Sequence, residues 1–388
     1  MKILLVMNES GLGGITTAGI NFANHLFKEG NQVEILNMYD GLDHLYKSLN
    51  KQIPILHLSG YAKNWNLTPN KIKTIRNPFK KIYYLFLGLY KKIKTKNNTW
   101  LSKVFKKCCC DNGYDVAIAY RQCAPSYFFV LNNVVANKKM AFVHGELTYM
   151  SDISSWKKYM TLFDKVAYVS EAVKEQFTSA YPELSVNACS IHNMLDVDRI
   201  VNLSNEKNPC EFNKNVKNIV TVARIENTFK QIDWIPQICA RLKQKDTEPF
   251  HWWIIGDGPD MQKVKDKIVE LGVEDVITML GARQNPYCIL KDAYFSVLTS
   301  KSESFGLVIV ESVICKVPVV STNYPALSEV LIDGKLGIIC EQDIDDVVDK
   351  INILLKDNQK YLELKKNCER HVYTNDKSYQ KFLEAVEK

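Results

Sequence analysis

Residues 293–322 read AYFSVLTSKSESFGLVIVESVICKVPVVST. AYFSVLTS (293–300) and VPVVST (317–322) are short apolar runs of extended-chain residues. Between them, Phe305 to Cys315 carries a helix signal. Strand, loop, helix and strand in succession make a βαβ unit, which needs a parallel sheet covered on both faces. The pattern repeats outward from here. NIVTVAR (218–224), HWWIIG (251–256) and VITML (276–280) precede it. The first half offers KILLVM (2–7), QVEILNM (32–38), DVAIAY (115–120), KMAFVH (139–144) and KVAYVS (165–170). Two α/β series are expected, joined by the polar, Asn-rich stretch 201–217.

In open parallel sheets, ligands sit beyond the carboxyl ends of the strands, so loops that follow strands matter most. SESFGLVIVES (302–312) is such a loop. The N–H groups of Ser304 to Leu307 open a helix whose dipole favours an anion, and Gly306 leaves room for close approach. Glu311 lies two turns further on among apolar residues, and a buried carboxylate is costly unless it accepts hydrogen bonds. A vicinal diol, such as a ribose, would supply two donors. The stretch alone supports equally a plain alternative, in which Glu303 caps the helix and Glu311 reaches solvent or a lysine. Arg224 and Lys230 follow the strand NIVTVAR and suit a diphosphate, although solvated surface cations are common. IIGDGPD (254–260) is ordinary strand-to-helix turn chemistry.

Composition narrows the class. The chain has 388 residues, 46% hydrophobic and 24% charged, so two folded domains are expected rather than disorder. The start MKILLVMNES reads as a strand and not as a signal peptide, and no apolar run is long enough to span a membrane. Eleven cysteines without C-x-x-C spacing fit reduced thiols in a reducing compartment. The net charge is +7, yet fifteen Lys and Arg lie between His44 and Cys110 with no Asp or Glu among them, so the remainder is acidic. Within that stretch, NPFKKIYYLFLGLYKKIKTK (77–96) has an apolar centre flanked by lysine pairs. Such a helix suits an anionic membrane face; a core helix with a solvated basic rim is the plainer alternative.

Taken together, these motifs resemble the retaining glycosyltransferases of family 4. The resemblance runs the full length and is strongest from Asn218 to Cys340. The family's E-x7-E element corresponds to ESFGLVIVE (303–311), its Arg and Lys pair to Arg224 and Lys230, and its glycine turn to GDGP (256–259). NPY (285–287), PVVST (318–322), GLGG (11–14), AFVHGE (141–146), SEAVKEQF (170–177) and IHNMLD (191–196) also match. The resemblance implies an α/β architecture of the GT-B kind: two Rossmann-like, doubly wound parallel-sheet domains facing a central cleft. On that basis residues 1–200 form an acceptor-binding domain, 201–217 a linker and 218–365 a nucleotide-sugar domain. Residues 366–388 form a helical segment packing back toward the first domain.

Residue by residue, the resemblance implies catalytic parts for His144, Glu303, Arg224 and Lys230. His144 would bond a sugar hydroxyl, Glu303 would contact the transferred sugar, and the two cations would neutralise the leaving diphosphate. Donor binding falls to Gly13, Gly14, Gly256, Arg283, Ser304, Phe305, Gly306, Leu307 and Glu311, with Glu311 on the ribose. Three departures stand out: five residues separate Arg224 from Lys230 where four is usual, Lys316 replaces a common glycine, and Gly145 and Glu146 follow the histidine. The implied reaction is metal-independent, cofactor-free transfer of a hexosyl or N-acetylhexosaminyl group, with UDP the favoured nucleotide. The acceptor would be a glycan or lipid-linked glycan, in bacterial surface polysaccharide or glycoconjugate synthesis. The protein would be cytoplasmic and peripheral at the inner membrane face through 71–107, with no nucleic-acid partner. DVD (196–198) mimics a metal motif but reads as structural. GLGGITTAG lacks the third glycine of a dinucleotide loop. A nucleotide-sugar epimerase or hydrolase of this fold, or a non-catalytic basic membrane-associated binding protein, are the rival classes.

Overall fold

The computed structural model describes residues 1–8, 11, 13–39, 46–58, 72, 75, 77–93, 99–105, 110–150 and 152–387, without the side chains of 87–93, 99, 100, 103 and 111. The chain packs as two units. Unit 1 comprises 1–196 and 375–388, and unit 2 comprises 197–374.

Unit 1 is built on β1 (Lys2–Met7), β2 (Gln32–Asn37), β3 (Ile55–His57), β4 (Cys110–Ala119), β5 (Val134–Val143), β6 (Lys165–Tyr168) and β7 (Ala188–Ser190). All pair in parallel in the order β3-β2-β1-β4-β5-β6-β7. Ile3 to Met7 are wholly buried, as a central parallel strand covered on both faces requires. Tyr127 packs edge-on to Trp156 and Phe163 and donates its hydroxyl to the Phe142 carbonyl at 3.0 Å. The last helix, Asp376–Glu387, belongs here too. Phe382 meets Phe22 edge-to-face, and Asn375 exchanges two hydrogen bonds with the backbone of Leu195.

Unit 2 holds β8 (Lys217–Val222), β9 (Phe250–Ile255), β10 (Ile277–Gly281), β11 (Phe295–Leu298), β12 (Val319–Thr322) and β13 (Gly337–Cys340), all parallel, in the order β10-β9-β8-β11-β12-β13. A buried polar chain ties its centre together. The Trp252 indole donates to Thr221 Oγ1 at 3.0 Å, which donates to the Val297 carbonyl at 2.7 Å. The indole is thus buried with its one donor satisfied. The stretch 201–217, read as a linker, opens with the last turn of helix Val197–Ser204 and lies wholly in unit 2. Helix Asn358–Arg370 is also in unit 2, so within 366–388 only 375–388 joins unit 1.

Helix Pro78–Ile93 is started by Asn77, whose side chain accepts from Lys80 N–H, with proline at the first helical position. Tyr84 is buried in the unit 1 core, yet Phe79 is 82% and Phe86 68% exposed, and Ile82 and Leu85 are half exposed. These four occupy the outward arc of the helix, so the core-helix alternative does not hold for them. Of the basic segment 71–107, Lys71, Lys73, Arg76, Lys94, Lys96, Lys106 and Lys107 lie outside the described residues, as does Leu12 of the glycine loop.

Candidate active site

In unit 2 the strand order reverses between β8 and β11, the position where doubly wound sheets take ligands. Side chains on one loop pin the backbone of the other. Thr299 Oγ1 donates to the carbonyls of Lys230 (2.8 Å) and Gln231 (3.1 Å), and Lys301 N–H donates to the Phe229 carbonyl (2.7 Å). A one-turn helix, Asn227–Lys230, is capped by the Glu226 carboxylate and ended by Gln231 at φ 48°, in the left-handed region. This delivers the Lys230 ammonium to Glu303 Oε1, which also accepts from Ser300 Oγ at 2.8 Å. Lys230 is thus already paired with Glu303, whereas Arg224 is exposed and makes no hydrogen bond or ion pair among the described residues.

Helix Leu307–Ile314 starts later than the sequence suggests, because Gly306 is left-handed at φ 90°. A Cβ at Gly306 would lie 2.2 Å from the Tyr324 hydroxyl oxygen. The glycine is therefore demanded by the chain itself, and not only by an approaching ligand. The N–H groups of Ser304, Gly306 and Leu307 donate to no acceptor among the described residues. Beside them, Phe305 is buried. The helix ends with Lys316 at φ 64°; Val317 N–H reaches the Ser312 carbonyl and Lys316 N–H that of Val313. This is the left-handed C-terminal motif that ordinarily takes glycine.

Glu311 is 8% exposed. It reaches neither open solvent nor a lysine: its Oε1 accepts from the Tyr287 hydroxyl at 3.0 Å, and Oε2 makes no hydrogen bond among the described residues. Burial pushes the Glu311 carboxyl up to about 7, against the Tyr287 hydrogen bond and the positive charge of Arg199. The same burial and the Glu311 charge hold the Tyr287 phenol well above its usual range, so the proton between them stays on tyrosine.

Gly256 and Gly258 are required by close approach. A Cβ on either would lie 1.8 Å from the Ala223 carbonyl oxygen or 2.2 Å from that of Ile225. The turn after β9 thus lies against the loop that carries Arg224. Arg283, after β10, is exposed and joins none of these contacts.

In unit 1, Gly13 and Gly14 are exposed at the start of helix Gly14–Lys28. Nothing lies within 4 Å of a Cβ built on Gly13, so packing inside this unit does not call for glycine there. His144, 6% exposed, follows β5 and packs against both Tyr120 and Phe142. A ring N–H donates to the Tyr120 carbonyl, and Nε2 has no partner among the described residues, so the free nitrogen is an acceptor. Burial holds the imidazole down at about 3, neutral at ordinary pH. Three further polar residues in loops after strands carried no sequence signal of their own. Gln122 Oε1 accepts from His144 N–H at 3.0 Å, Asn8 Nδ2 donates to Cys123 Sγ at 2.7 Å, and Asn8 Oδ1 is buried without a partner among the described residues. Of the DVD stretch, Asp196 accepts from Asn24 at 3.3 Å and Asp198 sits in the first turn of helix Val197–Ser204. No group of three or more His, Cys, Asp or Glu among the described residues is placed to hold a metal.

Residues 204–371 match the family described as glycosyl transferases group 1. The chain is 32% identical over 126 residues to the N-acetyl-alpha-D-glucosaminyl L-malate synthase of Bacillus anthracis, covering 32% of this chain and 33% of that protein. It is 23% identical over 295 residues to an N-acetylgalactosamine-N,N'-diacetylbacillosaminyl-diphospho-undecaprenol 4-alpha-N-acetylgalactosaminyltransferase of Campylobacter jejuni, covering 73% and 77%. Its match thus spans about a third of the Bacillus relative. Among solved structures, HepE of Anabaena in complex with UDP and glucose superposes with a TM-score of 0.70 at 17% identity, covering 100% of this chain and 99% of that one. The resemblance read from the motifs is borne out. Residues 204–371 match the glycosyl transferases group 1 family, and the chain carries the two parallel-sheet, Rossmann-like units of the GT-B fold.

Proposed function

We propose that the protein is a retaining glycosyltransferase that moves a hexosyl or N-acetylhexosaminyl group from a UDP-sugar to a hydroxyl of a glycan or lipid-linked glycan. The observation that carries this reading is the meeting of the β8 and β11 loops. Arg224, the Lys230–Glu303 pair and unbonded helix N–H groups gather there, two turns before a buried carboxylate with one free oxygen. Cations and N–H groups so placed stabilise the charge that develops on a leaving diphosphate. They supply what a divalent cation would, so the transfer proceeds without metal. Glu311 takes the ribose hydroxyls; in unit 1, the neutral Nε2 of His144 is an acceptor suited to a hydroxyl. For retention, the acceptor hydroxyl attacks the anomeric carbon on the face the diphosphate leaves. The departing phosphate oxygen takes the hydroxyl proton. Within unit 2, Arg283 and Gly256 complete the donor contacts.

UDP is favoured because HepE is a UDP complex, and a lipid-linked acceptor because the Campylobacter relative is named for a diphospho-undecaprenol substrate. The outward apolar arc of helix Pro78–Ile93, with Lys80 and Lys81 beside it, supports docking at the anionic inner membrane face. No helix among the described residues is long and apolar enough to cross a membrane.

The deciding experiment measures nucleoside diphosphate release from a panel of UDP-, GDP- and ADP-sugars, in EDTA, with and without a membrane lipid extract. Release from one UDP-sugar, raised by lipid, is the expected result. Release restored only by a divalent ion would overturn the metal-free mechanism, and release from a GDP- or ADP-sugar alone would overturn the choice of UDP.

A further inference from the structure

The Tyr287–Glu311 hydrogen bond links two elements that the sequence places 24 residues apart. Tyr287 opens helix Tyr287–Lys291 and is 6% exposed; its backbone N–H is held by Asn285 Oδ1 at 3.1 Å. Asn285 is itself tied to the carbonyl of Leu203 at 2.8 Å. The phenol is thus fixed from behind, through Asn285, before it reaches the carboxylate. Glu311, on helix Leu307–Ile314, would otherwise have several rotamers open to it.

We propose that Tyr287 is a positioning residue for nucleotide binding: its hydroxyl occupies Glu311 Oε1 and so turns Oε2 toward the vicinal diol of a nucleoside diphosphate. This rests on the proposed role of Glu311 at the ribose. A carboxylate held at one oxygen presents its other oxygen in a single orientation, which lowers the ordering cost when the ligand arrives. The phenol also favours the ionised carboxylate, the form that accepts two hydroxyl hydrogens. The groups facing Glu311 are Tyr287 from its helix, Arg199 from helix Val197–Ser204, and Cys315 beyond the end of its own helix. Arg199 and Tyr287 favour the ionised form, while burial opposes it. Tyr287 therefore adjusts the pH at which the site accepts ligand, in addition to its geometry.

The test is calorimetric titration of UDP, with GDP and ADP alongside, into wild type, Tyr287→Phe and Glu311→Gln from about pH 5.5 to about pH 8.5. The phosphate's own titration is common to all three proteins and cancels in the comparison. Expected for Tyr287→Phe is a loss of roughly fivefold or more in UDP affinity at the alkaline end. The midpoint of its pH dependence should also move to higher pH relative to wild type, since a support for the ionised form has been removed. Glu311→Gln should bind weakly with no midpoint from this group. A merely structural tyrosine would lower the melting temperature of Tyr287→Phe and leave the midpoint where it was, and that result overturns the proposal. If Glu311→Gln weakens UDP while Tyr287→Phe matches wild type in affinity and midpoint, positioning fails and the ribose role stands. If Glu311→Gln binds like wild type, both fail.

Discussion

Lys230 and Glu303, 73 residues apart in sequence, form an ion pair at the mouth of the unit 2 site, each side chain less than a third exposed. An arriving diphosphate must compete with Glu303 for the ammonium. Lys230→Ala leaves the carboxylate without its counter-ion and should cost about 1–2 kcal/mol of stability, between the values for exposed and buried pairs. The double variant Lys230→Ala/Glu303→Ala should recover much of that loss in denaturant melts while remaining inactive. If the double variant is as unstable as the sum of the singles, the two residues do not interact in solution.

Glu311 runs against the usual direction for a carboxylate. Its folded value, about 7, lies above the ordinary 4.5, so between these two the folded state holds the extra proton. Stability from this group is full below the lower value and is lost as pH rises through the upper one, by about 3 kcal/mol at most. Glu311→Gln removes the charge and should therefore melt higher than wild type at about pH 8 and nearly equal to it at about pH 5, while losing nucleotide affinity. Equal pH dependence of the two melting curves would show that the carboxyl is not held protonated.

His144 should stay neutral well below the range of an ordinary histidine. Its ring carbon shifts, followed by NMR in the intact protein, should be flat from neutral pH down to about pH 4.5. An inflection near the usual histidine value would mean that the ring is solvated rather than packed against Tyr120 and Phe142.

Gly306 and Lys316 make opposite predictions from the same backbone geometry. Gly306→Ala meets both a left-handed φ and the Tyr324 hydroxyl, and should cost about 2 kcal/mol or more. Lys316→Gly relieves a left-handed lysine but loses its hydrogen bond to the His371 carbonyl, so a net gain of at most about 1 kcal/mol is expected in thermal melts.

The outward face of helix Pro78–Ile93 should bind vesicles containing anionic lipid. Replacing Phe79, Ile82 and Phe86 with serine should lower cosedimentation at least about tenfold with little change in the melting temperature, because these side chains are more than half exposed. Unchanged cosedimentation would remove this helix as the docking surface.

Ten of the thirteen strands among the described residues are legible as apolar runs, most of them because a parallel sheet covered on both faces needs apolar residues along its central strands. The three that are not, β3, β7 and β13, are edge strands of three or four residues, one neighbour short of a full ladder. ILH, ACS and GIIC are too short for any period to register. In the site, charge after strand ends pointed to Arg224, Lys230 and Glu303, and a carboxylate among apolar helix residues pointed to Glu311. What escaped was the relation between them. The Lys230–Glu303 pair depends on Thr299 fixing the other loop, and Tyr287 lies in a quoted motif whose partner is 24 residues away. Spacing along a chain carries no information about such contacts until the sheet order is known. Gly256 and Gly306 show the converse: both stand out in sequence, but the backbone and Tyr324 account for them before any ligand is invoked.

The return of the last helix to unit 1 sets an order of events in biosynthesis. Unit 2 is a single continuous segment, 197–374, whereas unit 1 is assembled from two segments far apart in sequence. Unit 1, although begun first, lacks Phe382 against Phe22 and the Asn375 bridge to Leu195 until residues 375–387 are made. The half of the protein translated first is therefore completed last. Until then the nascent chain lacks the aromatic partner that Phe382 gives Phe22.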